Sequence, residues 1–429
     1  NDRSKMYYTP NKENNVFQLV VQYGAGEREF PKLGYAAQLM NNAGIMGAYE
    51  PQELKEELSK LNATCHVTAD DDNLYIIMEG YEATLPQACQ LLSRQILMPK
   101  LDEKQLARLK GSAMGMRQQR KDNVSILNEA LRQYMLYGEK SDYIKELTDK
   151  EIYELQISEL TGDINRASNY EAKVFFTGTL PFDQVYDILS KNLPLVANER
   201  PSNSPQAKDM MPVTENTVYF LPNNDAEQAQ IHLYIPMQKA DKKDDVLRSA
   251  FNQYFGLDFT GIVLNEIREK RSMAYTAYAF VGTQGIAGKA SYLRGYIGTQ
   301  NDKANDALDV LMGLVNDMPK NPERIDNIKS YLRQAMLTSH PSFRNKAMEL
   351  VDLGYRGYTD DPAKENLPKV DALTFDDIVK FYEENIKDKP YCISIMGNPK
   401  NIDLKRLEKF GKVVKLNERK LFNTKDALF

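Results

Sequence analysis

The sequence predicts an α+β fold of two homologous domains, each a mixed, mostly antiparallel β-sheet packed with α-helices. Three observations carry that expectation. One order of elements can be traced twice along the chain, matching elements lie about 210 to 220 residues apart, and a proline-rich polar stretch separates the two runs. Within each run strands and helices are grouped rather than strictly alternating, which points to α+β rather than to a parallel α/β sheet.

The first unit, residues 1–195, opens with the strand Val16-Phe17-Gln18-Leu19-Val20-Val21. Pro51 then starts a helix with Leu54, Leu58 and Leu61 at helical spacing, and a hairpin follows from Ala63 to Tyr81 with Asp70-Asp71-Asp72-Asn73 at its turn. An amphipathic helix from Thr84 to Leu97 and a long helical stretch over 102–138 come next. Lys173 to Gly178 reads as a strand ending in glycine before a helix at Asp183. The second unit, residues 216–429, repeats the plan. Val218-Tyr219-Phe220 and Gln230 to Ile235 are strands, Thr260 is placed to cap a helix running to about Lys270, and Ala274–Phe280 pairs with Ala290–Gly298. Lys303–Met318 and a stretch over 322–355 are helical, and Cys392 to Gly397 precedes a helix at Asp403. Between the units, residues 196–215 hold Pro201, Pro205 and Pro212 among polar neighbours and read as a linker.

At 429 residues, 42% hydrophobic and 27% charged, the chain has the makeup of a packed globular protein. Its 55 basic and 60 acidic residues are intermixed without a basic stripe, which disfavours a nucleic-acid partner. No apolar run approaches the ~20 residues that span a bilayer. The chain opens on Asn1 rather than Met, as expected of a segment of a longer protein or a processed mature form, and its compartment is not readable from this end. Cys65, Cys89 and Cys392 lack the close spacings of a zinc site or a disulfide framework and read as buried small hydrophobes.

Chemistry-bearing motifs are sparse. His66, His232 and His340 are the three histidines, too far apart for a pair at i and i+4 on one helix face. His66 and His232 fall in strands, where a hydrogen-bonded structural role is expected, and His340 precedes Pro341 in a loop. Gly24-Ala25-Gly26 lacks the rest of a phosphate loop and reads as a turn, and the Asp70-Asp71-Asp72 run lacks the glycine and distant Glu of a calcium loop. Cys65 and His66 are adjacent in a strand and point to opposite faces, so they cannot act as nucleophile and base.

One stretch is specific. Leu264-Asn265-Glu266-Ile267-Arg268-Glu269-Lys270-Arg271-Ser272-Met273-Ala274-Tyr275 places an Arg near the end of a helix and a Tyr at the start of a strand. It resembles the C-terminal, non-catalytic half of insulinase/pitrilysin-family zinc peptidases, and softer likenesses at Tyr7–Asn14, Gln52–Leu58 and Val370–Gly397 extend the resemblance over nearly the whole chain. The resemblance implies that Arg268 and Tyr275 bind the substrate backbone opposite the zinc, as a guanidinium and a phenol can grip peptide carbonyls without reading side chains. Placing the family's zinc helix on Gly34–Asn41 puts Ala37, Met40 and Asn41 where His, Glu and His would stand. The resemblance therefore implies no catalytic residue and no metal in this chain, which by itself would be inactive. It also implies a zinc-bearing catalytic half, in the same polypeptide or as a separate subunit, and peptide or small unfolded-protein substrates in an enclosed chamber. The alternative keeps the fold without catalysis, as a scaffold subunit.

Overall fold

The computed structural model describes residues 4–120, 123–193, 200–256 and 260–425. The first sheet is built from β1 (Ser4–Pro10), β2 (Val16–Tyr23), β4 (Thr64–Ala69), β5 (Leu74–Tyr81) and β7 (Ala172–Gly178), while β3 (Gly44–Ile45) and β6 (Pro99–Lys100) form a separate short pair. Its spatial order is β1, β7, β2, β5, β4, with β1 and β7 parallel and the other neighbours antiparallel. The second sheet takes β8 (Thr217–Pro222), β9 (Gln228–Lys239), β10 (Ala274–Thr283), β11 (Ala290–Gln300), β12 (Cys392–Gly397) and β13 (Lys412–Lys415). Read from β8 it runs β8, β12, β9, β11, β10, which repeats the first sheet strand for strand, and β13 adds a parallel strand outside β8. The fold is thus α+β with mixed, mostly antiparallel sheets, as expected.

Alternation decides which face each strand buries. Phe17, Leu19 and Val21 of β2, with Val174 and Phe176 of β7, face helices Leu33–Met40 and Leu85–Leu97. In the second sheet Ile231, Leu233 and Ile235 of β9, with Ile393 and Ile395 of β12, face helices Asp245–Phe255, Ala304–Asn316 and Phe375–Asn385.

The opposite faces are covered by exchange. Helix Val124–Tyr137, which follows the first sheet's hairpin in the chain, lays Leu127, Leu131 and Met135 on Leu221, Met396, Tyr234 and Cys392 of the second sheet. Helix Lys346–Tyr355, from the second run, packs Ala347, Met348 and Val351 on Val20, Phe175 and Tyr7 of the first. Each fully buried Leu or Met contributes on the order of 1.5–3 kcal/mol relative to exposure.

Several expectations shift. The first sheet begins at Ser4, one strand earlier than Val16, because β1 pairs with the late strand β7, a partner 168 positions on that local periodicity does not show (Ser4 against Ala172). The stretch 102–138 divides into Glu103–Gln119 and Val124–Tyr137, the second helix capped by Asn123, whose side chain accepts from the N–H groups of Ser125 and Ile126. The stretch 322–355 divides into Ile325–Thr338 and Lys346–Tyr355 around Pro341, which has no N–H to continue a helix and disfavours helical geometry at His340. Thr260 is not a cap: Gly261 holds that position and the helix starts at Ile262, while the Thr260 carbonyl accepts from Arg324.

Of the predicted linker, residues 196–199 lie outside the described ones. The remainder is pinned along the surface: Asn203 N–H donates to the Gly24 carbonyl at 3.0 Å and Met211 N–H to that of Leu136 at 2.7 Å. Gly24 is required by this approach, since a Cβ there would stand 1.9 Å from Ser202 Oγ.

Candidate substrate-binding site

Arg268 lies in a π-helical turn, Asn265–Glu269, that continues the short helix Ile262–Leu264 and closes with Lys270 N–H on the Asn265 carbonyl. Such turns insert a residue into an α-helix and swing a side chain off its regular position. Glu266 accepts from both Lys270 and Arg271, and these hydrogen bonds hold its carboxyl below the usual carboxylate range. Arg268 makes a longer contact, Nε to Glu269 Oε1 at 3.6 Å, and stays half exposed. A surface pair of that kind contributes about 0–1 kcal/mol, so little opposes its exchange for a ligand.

Ser272, at φ 50°, reverses the chain after the helix. The turn is held by Met273 N–H on the Ile267 carbonyl at 2.9 Å and by Thr299 Oγ1 donating to the Met273 carbonyl. Strand β10 then begins with an irregularity: its register on β11 shifts between Ala274 and Thr276, and Tyr275 is the residue left over. A bulge of this kind re-aims a side chain, and Tyr275 is 67% exposed. Beyond it Ala277, Ala279 and Val281 resume the buried face, while the ring of Tyr278 lies tilted against that of Tyr296 with centroids 5.3 Å apart. Two backbone irregularities thus turn the two predicted residues, Arg268 and Tyr275, toward solvent on either side of one short turn.

Helix Leu33–Met40, where the resemblance would place a zinc motif, does not fit a metal. Ala37 and Met40 are each 2% exposed in the apolar core. Asn41 is occupied by a strand: its Nδ2 donates to the Val67 carbonyl at 2.8 Å and its Oδ1 accepts from Val67 N–H at 2.7 Å. Val67 lies on β4, the edge strand of the first sheet, so one amide side chain satisfies two backbone groups that an edge leaves open. The second sheet repeats the device. Asn252 donates to the Val281 carbonyl at 3.0 Å and accepts from Val281 N–H at 2.6 Å, and Ala279 N–H donates to the Gly256 carbonyl at 3.0 Å on the β10 edge. Sequence reading placed Asn41 on the zinc-motif pattern without a task; the signal that could have assigned one is its counterpart Asn252, also in the last turns of a helix before an edge strand.

The three histidines stand apart. His66 is exposed on β4, and His340 is exposed between two helices. His232 is 3% exposed on β9 beneath helix Val124–Tyr137, with Nε2 3.1 Å from Asn128 Oδ1. Burial, with Arg294 and Arg132 nearby, pushes its pKa down to about 3, so it is held as the neutral imidazole. Among the described residues no group of three or more His, Cys, Asp or Glu side chains is placed to hold a metal ion.

Residues 168–332 match the family model described as the peptidase M16 inactive domain. The fold agrees over almost the whole chain. A peptidase M16 inactive domain from Pseudomonas fluorescens superposes with a TM-score of 0.72 at 16% identity, covering 94% of this chain and 97% of that one. The periplasmic protease PqqL from Escherichia coli gives 0.68 at 13% identity, over 90% of this chain and 43% of that one. The ferredoxin protease FusC, solved with Arabidopsis ferredoxin, gives 0.69 at 12% identity, over 91% and 44% respectively. The chain therefore spans less than half the length of those two proteases. A comparison with curated protein sequences finds no match. The central segment thus matches the peptidase M16 inactive domain and the fold is shared with such a domain over nearly the whole chain, which bears out the resemblance read from Leu264–Tyr275 to a non-catalytic half of an insulinase/pitrilysin-type peptidase.

Proposed function

We propose that this chain is the substrate-gripping, non-catalytic half of a zinc-dependent endopeptidase acting on peptides or small unfolded proteins in an enclosed chamber. The observation that carries this reading is the exposed presentation of Arg268 and Tyr275 from a π-turn and a bulge flanking one turn. In regular alternation Tyr275 would share the buried face of Ala277, Ala279 and Val281. A guanidinium and a phenol presented on either side of one turn supply several donors for the carbonyls of an extended peptide. The zinc and its activated water belong to the partner half, whether covalently joined or a separate subunit, and Arg268 and Tyr275 contribute by positioning the scissile region. The division into units 1–195 and 216–429, with 196–215 as the join, is part of the same proposal; the repeated strand order supports it.

The test is peptide hydrolysis by the assembled enzyme. Arg268→Ala and Tyr275→Phe should each lower kcat/KM about tenfold or more, the loss of one or two charge-assisted or phenolic hydrogen bonds, with zinc content unchanged. Unaltered turnover in both variants would remove the assignment.

A further inference from the structure

A cavity of about 500 Å³ opens beside the start of β4, lined by Leu54, Leu58, Ala63, Cys65, Asn41 and Gln95 among others. That size lies within the range of small-molecule sites and leaves ample room for one large side chain. Two polar features of it remain unspent. Gln95 is 8% exposed, and its Nε2 donates to the carbonyls of Met40 at 3.3 Å and Ala43 at 3.1 Å. Those bonds fix the orientation of the amide and leave Oε1 without a donor among the described residues. The second feature is backbone. Val67 directs both its N–H and its C=O to the open edge of β4, where Asn41 meets them. In an antiparallel strand the direction repeats every second residue, so Cys65 directs its own N–H and C=O to that edge, away from β5. No described group pairs with them.

An unpaired strand edge, a cavity of mixed lining beside it with Leu54 and Leu58 in its wall, and an amide acceptor at Gln95 together define an occupant. We propose that this is a second peptide subsite, in which an extended segment pairs with the Cys65 backbone and inserts a Tyr or Trp side chain into the cavity. The ring packs against Leu54 and Leu58, and its O–H or N–H donates to Gln95 Oε1. Such side chains combine an apolar body with a donor tip, whereas Leu or Phe would bury Gln95 Oε1 unpaired. Peptide addition to a sheet edge draws affinity from the main chain and specificity from pockets for alternate side chains. The subsite stands independently of Arg268 and Tyr275, which belong to the other sheet's edge.

The experiment is fluorescence anisotropy with the whole chain and a labelled, end-blocked peptide of about nine residues, rich in Thr and Val with one central Tyr. Saturable binding is expected, weakened about fivefold or more when the Tyr is exchanged for Phe. Cys65→Pro removes the free N–H without removing a ladder bond and should weaken binding about tenfold. Unfolding curves establish that the proline variant is folded, and protection of the Cys65 amide from hydrogen exchange on peptide addition gives a measurement free of substitutions. The proposal is overturned by equal affinity for the Tyr and Phe peptides, or by no saturable binding up to about 1 mM. If Arg268→Ala abolishes binding and folded Cys65→Pro does not, the peptide sits on the other edge; the subsite is then wrong and the proposed function stands.

Discussion

The two sheets share a strand order and an edge device, yet they differ where chemistry is exposed. In both, an asparagine near the end of a helix closes part of the edge strand, Asn41 on Val67 and Asn252 on Val281. In both, a residue of positive φ precedes that strand, Asn62 at 48° and Ser272 at 50°. Three residues past the turn the copies part: Cys65 lines a cavity, and Tyr275 stands on a bulge in solvent. The covered faces differ too. The row Tyr7, Phe175, Val20, Ile77 in the first sheet is apolar, and the corresponding row Tyr219, Ser394, His232, Tyr296 in the second is polar. A scaffold that meets its backbone requirements twice with the same residue type leaves neighbouring positions free to diverge.

The largest expected effect tests the shared part. Asn41→Ala or Asn252→Ala leaves one N–H and one C=O of a buried valine unpaired, at about 1–3 kcal/mol for each group. Each substitution should lower stability by a few kcal/mol in denaturant titration and raise hydrogen exchange at Val67 or Val281 respectively. Equal and negligible losses would mean that the clamps are incidental.

Next comes the contrast of faces, read through pH. His232 has its folded pKa depressed, to about 3 from an ordinary value near 6.5, by burial and then by Arg294 and Arg132. The unfolded chain takes up a proton below about pH 6.5 that the folded chain refuses. The stabilisation is therefore complete above that pH and declines as pH falls toward 3, at up to about 1.4 kcal/mol per unit. His232→Gln should flatten this slope between pH 6 and about 4, whereas the first sheet, with Val20 at the corresponding place, supplies no such term. An unchanged slope in the variant would assign the acid sensitivity elsewhere.

The smallest effect sharpens the Arg268 assignment. Glu269→Gln removes the 3.6 Å contact with Arg268 and should alter stability by less than about 0.5 kcal/mol, since both groups are exposed. Hydrolysis by the assembled enzyme should hold or rise slightly. A fall matching that of Arg268→Ala would show the ion pair, not a free guanidinium, to be what the substrate meets.

Much of this was legible in the sequence because it is local. The hairpin from Ala63 to Tyr81, the helix begun by Pro51 and the strand ending at Gly178 announce themselves through period-two alternation, proline placement and glycine. Arg268 and Tyr275 are proposed as a pair from a contiguous motif. The bulge and the π-turn that aim them were not legible, since both depend on register with β11 and on the shape of the helix end. Asn41 was noticed as a poor metal ligand and its actual partner missed, because Val67 lies 26 positions away and strand edges are set by the whole sheet. The exchange of helices was hidden for the same reason: nothing in Leu127 or Ala347 says which sheet their apolar face meets.

That exchange has a consequence for how the chain comes into being. A ribosome delivers helix Val124–Tyr137 long before β8 through β13 exist, and the first sheet must wait for residues 346–355 before its outer face is dry. Neither sheet is covered on both faces by its own run alone, so the two runs are expected to finish folding together rather than in succession. Cutting it in the join should yield two fragments that are sticky apart and native only when mixed.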